Sequence, residues 1–307
     1  MTLSLKSAQL KAVNRMLAFN NGDVGTDDND YLLPPAGSSH NQWKILIYDK
    51  ACRTIISPLL SVAQLRRRGV TLHLLLESER EPIPDVPVVY FCQPTKANLA
   101  RIAQDCANRL YGKAHLNFVT KLDRSLMEDF AKLVVQSGSL DTIAAVHDQY
   151  LDYVCMERQL FTLSRTNSYV TMNQSAATEQ AMEQEMTEIA YGLFSVVATL
   201  GYVPIIRCPK VSIPECTVLS CPVYTHSHIT HYHTKLTSFI LFTTTQQGGA
   251  PEMVARKLNK MIAEHPTLMR SAKAAGRPLL LLVLQDRNSD LMTPIQHSAR
   301  VHLSSVD

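Results

Sequence analysis

Apolar residues along this chain recur in two rhythms that alternate. Leu3, Leu10, Val13 and Leu17 fall at helical spacing and predict an amphipathic first helix. Residues 20–42 are rich in Asp, Asn, Gly, Ser and Pro and read as an exposed loop. Trp43–Tyr48 (WKILIY) is then a short, almost continuous apolar run, the pattern of a strand buried on both faces. A helical segment follows through Leu65, with strands expected at Val70–Leu76 (VTLHLLL) and Val86–Cys92 (VPVVYFC). A helix over Lys96–Leu110, a strand over His115–Val119, a helix over Ser125–Val135 and a strand over Thr142–Val146 complete the series. Short buried strands alternating with amphipathic helices imply a parallel sheet covered on both faces. The expectation is an α/β fold: a five-stranded, parallel, Rossmann-like first domain over residues 1–155.

After Tyr150-Leu151-Asp152-Tyr153 the rhythm alters. Phe161 and Tyr169 are expected in a small hairpin. A long helix is predicted over Glu179–Leu200, with Met182, Met186, Ile189, Leu193 and Val197 on one face. A strand at Val203–Arg207, a helix at Pro251–Ala263 and the most apolar strand of all, Pro278–Leu284, make part of a second α/β domain over residues 156–307. Segment 211–247 stands outside that rhythm. It holds one acid (Glu215), one lysine (Lys235) and four of the eleven histidines, and is expected to be disordered.

Composition narrows the class. A 46% hydrophobic share with 19% charged residues over 307 positions describes a folded protein of about two domains. The net charge of +3 is too small to argue for nucleic acid, and the basic residues form no long stripe in the sequence. The densest run, Arg66-Arg67-Arg68, closes a predicted helix just before Gly69, where cations favour the helix's negative end. Seven scattered cysteines with no C-x-x-C spacing suggest free thiols and a reducing, cytoplasmic setting. Charges at Lys6, Lys11 and Arg15 interrupt any signal-peptide core. The longest uncharged apolar stretch, Gly192–Ile206, is shorter than the roughly 20 residues a spanning helix needs.

Candidate chemistry is sparse. His226, His228, His231 and His233 could supply zinc ligands in two pairs, but no Cys or acid stands at a finger spacing, and no metal or other cofactor is expected. The strand ending at Asp286 has the outline of a magnesium-binding strand, yet the chain has neither G-x-x-x-x-G-K-[ST] nor G-x-G-x-x-G. Gly138-Ser139 reads as a helix end rather than a nucleophile elbow. His73, His115 and His147 lie in or beside predicted strands. No catalytic site is visible.

The ordered run of motifs does resemble a family. LKAVNRMLAFN, then WKILIYDKACRTIISPLLSVAQLRRRGVTLHLLLESEREPIPDVPVVYFCQPT, NFVTKLDRS, DQYLDY, TLGYVPIIRCPK and RPLLLLVLQDRNSDLMTP are similar, in this order, to segments of the SM (Sec-one/Munc-eighteen) proteins. These bind syntaxins and regulate SNARE-driven vesicle fusion, and the likeness is strongest to the ER–Golgi branch. The resemblance implies a non-enzymatic partner of a syntaxin-type SNARE of the ER–Golgi pathway, cytoplasmic and held at ER and Golgi membranes through that partner. It also implies an apolar pocket for the syntaxin's N-terminal peptide, between the helix Lys96–Leu110 and the strand His115–Val119. Leu99, Ile102, Cys106 and Leu110 share a helical stripe there, and Leu116 and Phe118 alternate on the strand. About half of these six are expected to serve the core instead, because the stripe must also bury its helix on the sheet. Asp286, Arg287, Asp290 and Pro294 form the family's D-R-x-x-D-x-x-T/S-P run and are expected to be architectural, with Arg287 bridging the two aspartates.

Two departures from the family stand out. The family passes directly from RCPK to GGAPEMVA, so 211–247 is an insertion. Val211-Ser212 and Gln247 can be encoded by the bases that open and close an intron, and sequenced transcripts are expected to lack the segment. After His297 the chain diverges from the family's second domain and stops, and the third domain, which frames the cleft for SNARE helices, is expected to be absent; SNARE-bundle binding is in doubt on that ground. A nucleotide- or metal-dependent α/β enzyme and the product of a faulty gene model remain as alternatives.

Overall fold

The computed structural model describes residues 4–20, 42–208, 249–268, 280–286, 288 and 290–292. The histidine cluster, the insertion 211–247, Arg287 and Pro294 lie outside them. The described residues fall into two compact units, one within Met1–Ser168 and Tyr191–Gly201, the other within Tyr169–Ala190 and Tyr202–Asp307.

In the first unit the apolar runs become β1 (Lys44–Tyr48), β2 (Val70–Leu75), β3 (Val88–Cys92), β4 (Ala114–Phe118) and β5 (Ile143–Asp148). All four pairings are parallel, in the order β2-β1-β3-β4-β5. This is the doubly wound arrangement expected from the alternating pattern. Helices α1 (Leu5–Leu17), α2 (Lys50–Ile56) and α3 (Val62–Arg67) pack with Leu46, Tyr48, Val89 and Phe91 on one face of the sheet. Helices α4 (Lys96–Ala107) and α5 (Arg124–Gln136) pack with Ile45, Ile47, Tyr90 and Leu116 on the other.

Local chemistry sets the element ends. The single helical segment expected before Leu65 is two helices, because Ser61 and Gln64 form a reciprocal capping box that starts α3 afresh. Gly69 follows α3 at φ +80°, a turn that an L side chain resists. β2 differs from its expected burial: Thr71, Leu72 and His73 are exposed, because β2 is the edge of the sheet. β6 (Val154–Cys155) and β7 (Phe161–Thr162) form the hairpin, antiparallel, but Tyr169 lies in α6 (Ser168–Asn173) instead. Its hydroxyl donates to Asn288 Oδ1 at 3.1 Å, a contact that only the fold creates.

Lys44 is the unexpected member of β1. Its side chain is buried, and Nζ donates to the carbonyls of Leu17 (2.8 Å) and Arg68 (3.1 Å), capping the ends of α1 and α3 at once. The Phe19 ring lies 4.8 Å from Nζ. Burial lowers this ammonium to about 8, while the unfolded chain holds its proton up to about 10.4. Between these values the unfolded state binds more protons, so the Lys44 contribution to stability rises with pH across that window. Below about 8 the full cost of burying the charge remains. The stability difference between wild type and Lys44→Met, measured by urea denaturation, should therefore shift toward wild type by roughly 2 kcal/mol from about pH 8 to about pH 10. A difference that stays constant with pH would show that Lys44 titrates normally.

In the second unit, α7 (Glu179–Leu200) contributes Glu179–Ala190, joined by β8 (Pro204–Arg207), α8 (Ala250–Glu264) and β9 (Leu280–Val283). β8 and β9 pair in parallel from Pro204↔Leu280 to Arg207↔Val283. Val254, Ala255, Leu258 and Met261 form the buried stripe of α8, and Lys257 binds Glu183 of α7 at 3.0 Å. Among the described residues no helix is long and apolar enough to cross a membrane.

Candidate functional site

The topological switch point of a doubly wound sheet, between β1 and β3, is where such folds receive ligands. Here that crevice holds Asp49, which follows β1 and is only 4% exposed. One carboxylate oxygen accepts Cys52 N–H at 2.8 Å and so caps α2. The other accepts Gln93 N–H at 2.7 Å and Asn98 Nδ2–H at 2.9 Å, joining the end of β3 to the first turn of α4. The protein's own anion occupies the donors that a phosphate would need.

The α4 stripe is packed inward. Leu99, Ile102, Cys106, Leu116 and Phe118 are each 5% exposed or less and belong to one core cluster, with Leu110 packed against it. Leu110 lies beyond the helix, which ends at Ala107 rather than running on, and its carbonyl accepts Ile83 N–H at 2.6 Å. The six residues are brought together as expected, but as the contact of α4 with its sheet. The apolar groups left open lie one step further along the chain. Leu122, Phe130 and Val134 anchor α5 in the same cluster, which leaves Met127 46% exposed and Ala131 exposed one turn later. β5 is the sheet's second edge, and its register on β4 shifts after Ile143, so Ile143, which joins the cluster, and Val146, paired with Leu116 and 37% exposed, face the α5 side. The apolar run in Thr142–Val146 marked a strand, but periodicity could not say which helix would flank it, nor that the register shift would turn Ala145 away from that helix.

A second buried constellation steadies α4. Asp105 Oδ1 accepts from Arg80 Nη2 at 3.0 Å, while Oδ2 accepts from Tyr90 Oη at 2.9 Å and lies 2.8 Å from Arg80 Nη1. Burial pushes the Asp105 carboxyl up, against the pull of Arg80. Asn20, Asn117 and Gln149 form a triangle of side-chain amides at 2.7–3.0 Å, with Phe19 and Asn20 at positive φ. Sequence reading singled out neither group, because their members lie far apart in the chain. In the second unit, Asp286 Oδ1 accepts Asn288 N–H at 2.8 Å and Asp290 Oδ1 accepts Met292 N–H at 3.1 Å. Both aspartates thus stiffen the turn after β9, and the expected Arg287 bridge lies outside the described residues.

Strand order, a self-occupied switch point and an open apolar flank define an α/β protein of the doubly wound kind whose crevice is not built for a nucleotide. The chain belongs to the Sec1 family, whose model matches residues 44–299. It is 36% identical over 309 residues to "SEC1 family transport protein SLY1" of Arabidopsis thaliana, covering 98% of this chain and 42% of that protein. It is 37% identical over 310 residues to the human "Sec1 family domain-containing protein 1", covering 96% of this chain and 41% of that one. The chain thus spans less than half the length of these relatives. Its structure resembles the "Crystal structure of Sly1p in complex with an N-terminal peptide of Sed5p", with a TM-score of 0.75, 31% identity, and coverage of 97% of this chain and 44% of that one.

Proposed function

We propose that this chain is a non-catalytic SNARE regulator of vesicle transport, acting in ER–Golgi traffic by binding the N-terminal peptide of a syntaxin-type SNARE. The observation that carries the reading is the likeness, over 97% of the chain, to Sly1p solved with such a peptide. The binding module is residues 1–155, and association with ER and Golgi membranes follows from the SNARE partner. The Asp286–Asp290 turn serves as scaffold. Burial of the α4 stripe moves the proposed seat outward: Leu99, Ile102, Cys106, Leu110, Leu116 and Phe118 support it from below, and Met127, Ala131, Ile143 and Val146 offer the apolar surface. An aliphatic or aromatic anchor there is shielded from water by the α5 flank and the β5 edge.

Titrating a fluorescent N-terminal peptide of Sed5p into the full chain should give saturable binding. Met127→Asp removes an exposed contact and should weaken it by about 10-fold or more, since burying such a side chain is worth roughly 1.5–3 kcal/mol. Ile102→Asp should instead unfold the first unit, because Ile102 is 0% exposed. Unchanged affinity in Met127→Asp would place the seat elsewhere, and no binding by the folded wild-type chain would sink the SNARE reading. The rival nucleotide or metal enzyme predicts saturable binding of a nucleotide or divalent cation, and Asp49's occupation of the switch point argues against it.

A further inference from the structure

The first unit's helical layers differ in charge far more than the net +3 of the chain suggests. Residues 4–20 and 42–76, which supply α1, α2, α3, β1 and β2, hold nine Lys or Arg against one acid. That acid is Asp49, buried and engaged with Cys52, Gln93 and Asn98. Segment 21–41, outside the described residues, carries Asp23, Asp27, Asp28 and Asp30, so an external anion has intramolecular competitors.

The fold concentrates part of this charge around one point. Arg68 Nε donates to Asn14 Oδ1 at 2.6 Å, and the Lys44 ammonium ties the ends of α1 and α3 together. Beside that junction Lys11 and Arg15, one turn apart on α1, and Arg66 and Arg67, in the last turn of α3, are exposed. Among the described residues none of these four has a carboxylate within 4.0 Å. Trp43, next to Lys44, whose N–H bonds Gly69 O at 2.9 Å, is 72% exposed and is the only tryptophan in the chain. Indole is the side chain most at home in a lipid headgroup layer, apolar in body with one polar edge.

We infer that this end of the first unit docks on an anionic lipid bilayer, with Trp43 in the headgroup layer and Lys11, Arg15, Arg66 and Arg67 meeting the lipid anions. A nucleic acid would be served by a row of stacking platforms along a basic groove. One indole surrounded by cations suits the flat interface of a membrane instead. The contact is weak by itself, about five-fold in affinity per basic residue, and adds to whatever holds the chain at a membrane through a protein partner.

Trp43 is its own reporter. The full chain, mixed at low salt with vesicles of phosphatidylcholine and about one-third phosphatidylserine, should show a blue shift of tryptophan emission that salt reverses. Pure phosphatidylcholine vesicles should give none. The Arg66→Glu/Arg67→Glu variant should lose the shift while its circular dichroism stays that of wild type, since both side chains are exposed. Absence of a shift with anionic vesicles, or equal shifts with both kinds, would overturn the proposal. An equal shift with soluble polyphosphate or single-stranded RNA at matched phosphate would reassign the surface to a soluble polyanion.

Discussion

Asp49→Ala should lower the stability of the first unit by about 3–4 kcal/mol, because it strips an acceptor from three donors at once. Cys52 N–H, Gln93 N–H and Asn98 Nδ2–H all end on this carboxylate, at 2.7–2.9 Å. Asn98 retains a bond to the Gln93 carbonyl at 3.0 Å, whereas Cys52 N–H and Gln93 N–H meet no other acceptor among the described residues. Loss of the helix cap alone is worth about 1 kcal/mol, and the remainder is the cost of unmet donors in a buried crevice. Asp49→Asn separates the two. Asparagine caps a helix as well as aspartate does, yet its amide presents a donor where Gln93 and Asn98 need an acceptor. Urea denaturation followed by far-ultraviolet circular dichroism should place Asn nearer to Ala than to wild type. An Asn variant as stable as wild type would mean that the crevice admits water. The closure at the switch point would then be incidental, and the argument against nucleotide binding would lose its main support.

Asp105→Leu should cost a similar amount or more, about 3–5 kcal/mol, because it leaves the Arg80 guanidinium buried without its counter-charge. The two side chains are 3% and 1% exposed. Tyr90, at 1% exposure, would lose its acceptor as well. The double variant Arg80→Met/Asp105→Leu should recover most of the loss, since a buried ion pair replaced by apolar groups of like volume is often neutral. A double variant as unstable as Asp105→Leu would show that the pair specifies the geometry of the loop before β3 beyond its charge. That loop is tied to the same region by Ile83 N–H to Leu110 O and by Gly112 N–H to Val86 O. An added Cβ at Gly112 would stand 3.1 Å from Pro84 O. Failure of the ion pair should therefore also loosen Leu110.

Much of the first unit was legible because β-strands buried on both faces must be continuously apolar and their covering helices must be striped. KILIY and VVYFC declared themselves in this way, and both are buried throughout. VTLHLLL looked equally central but is an edge, because rank in a sheet depends on where each crossover lands, and no strand carries that information locally. The same limit applies to the peptide seat. A stripe such as Leu99, Ile102 and Cys106 says that a helix face meets something apolar, and whether this is its own sheet or a partner is decided by packing.

The sequence by itself determined the α/β class, the order of the first unit's strands and helices and, through its run of motifs, the family. Those features follow from residues within a few positions of one another. Only the tertiary structure decided that Asp49 fills the crevice, that Arg80 meets Asp105, and that the open apolar flank belongs to α5 and β5. It alone turned scattered cations, which form no stripe along the chain, into a patch around Trp43. Each of these joins groups from separate elements, and burial, charge pairing and exposure are properties of that assembled neighbourhood.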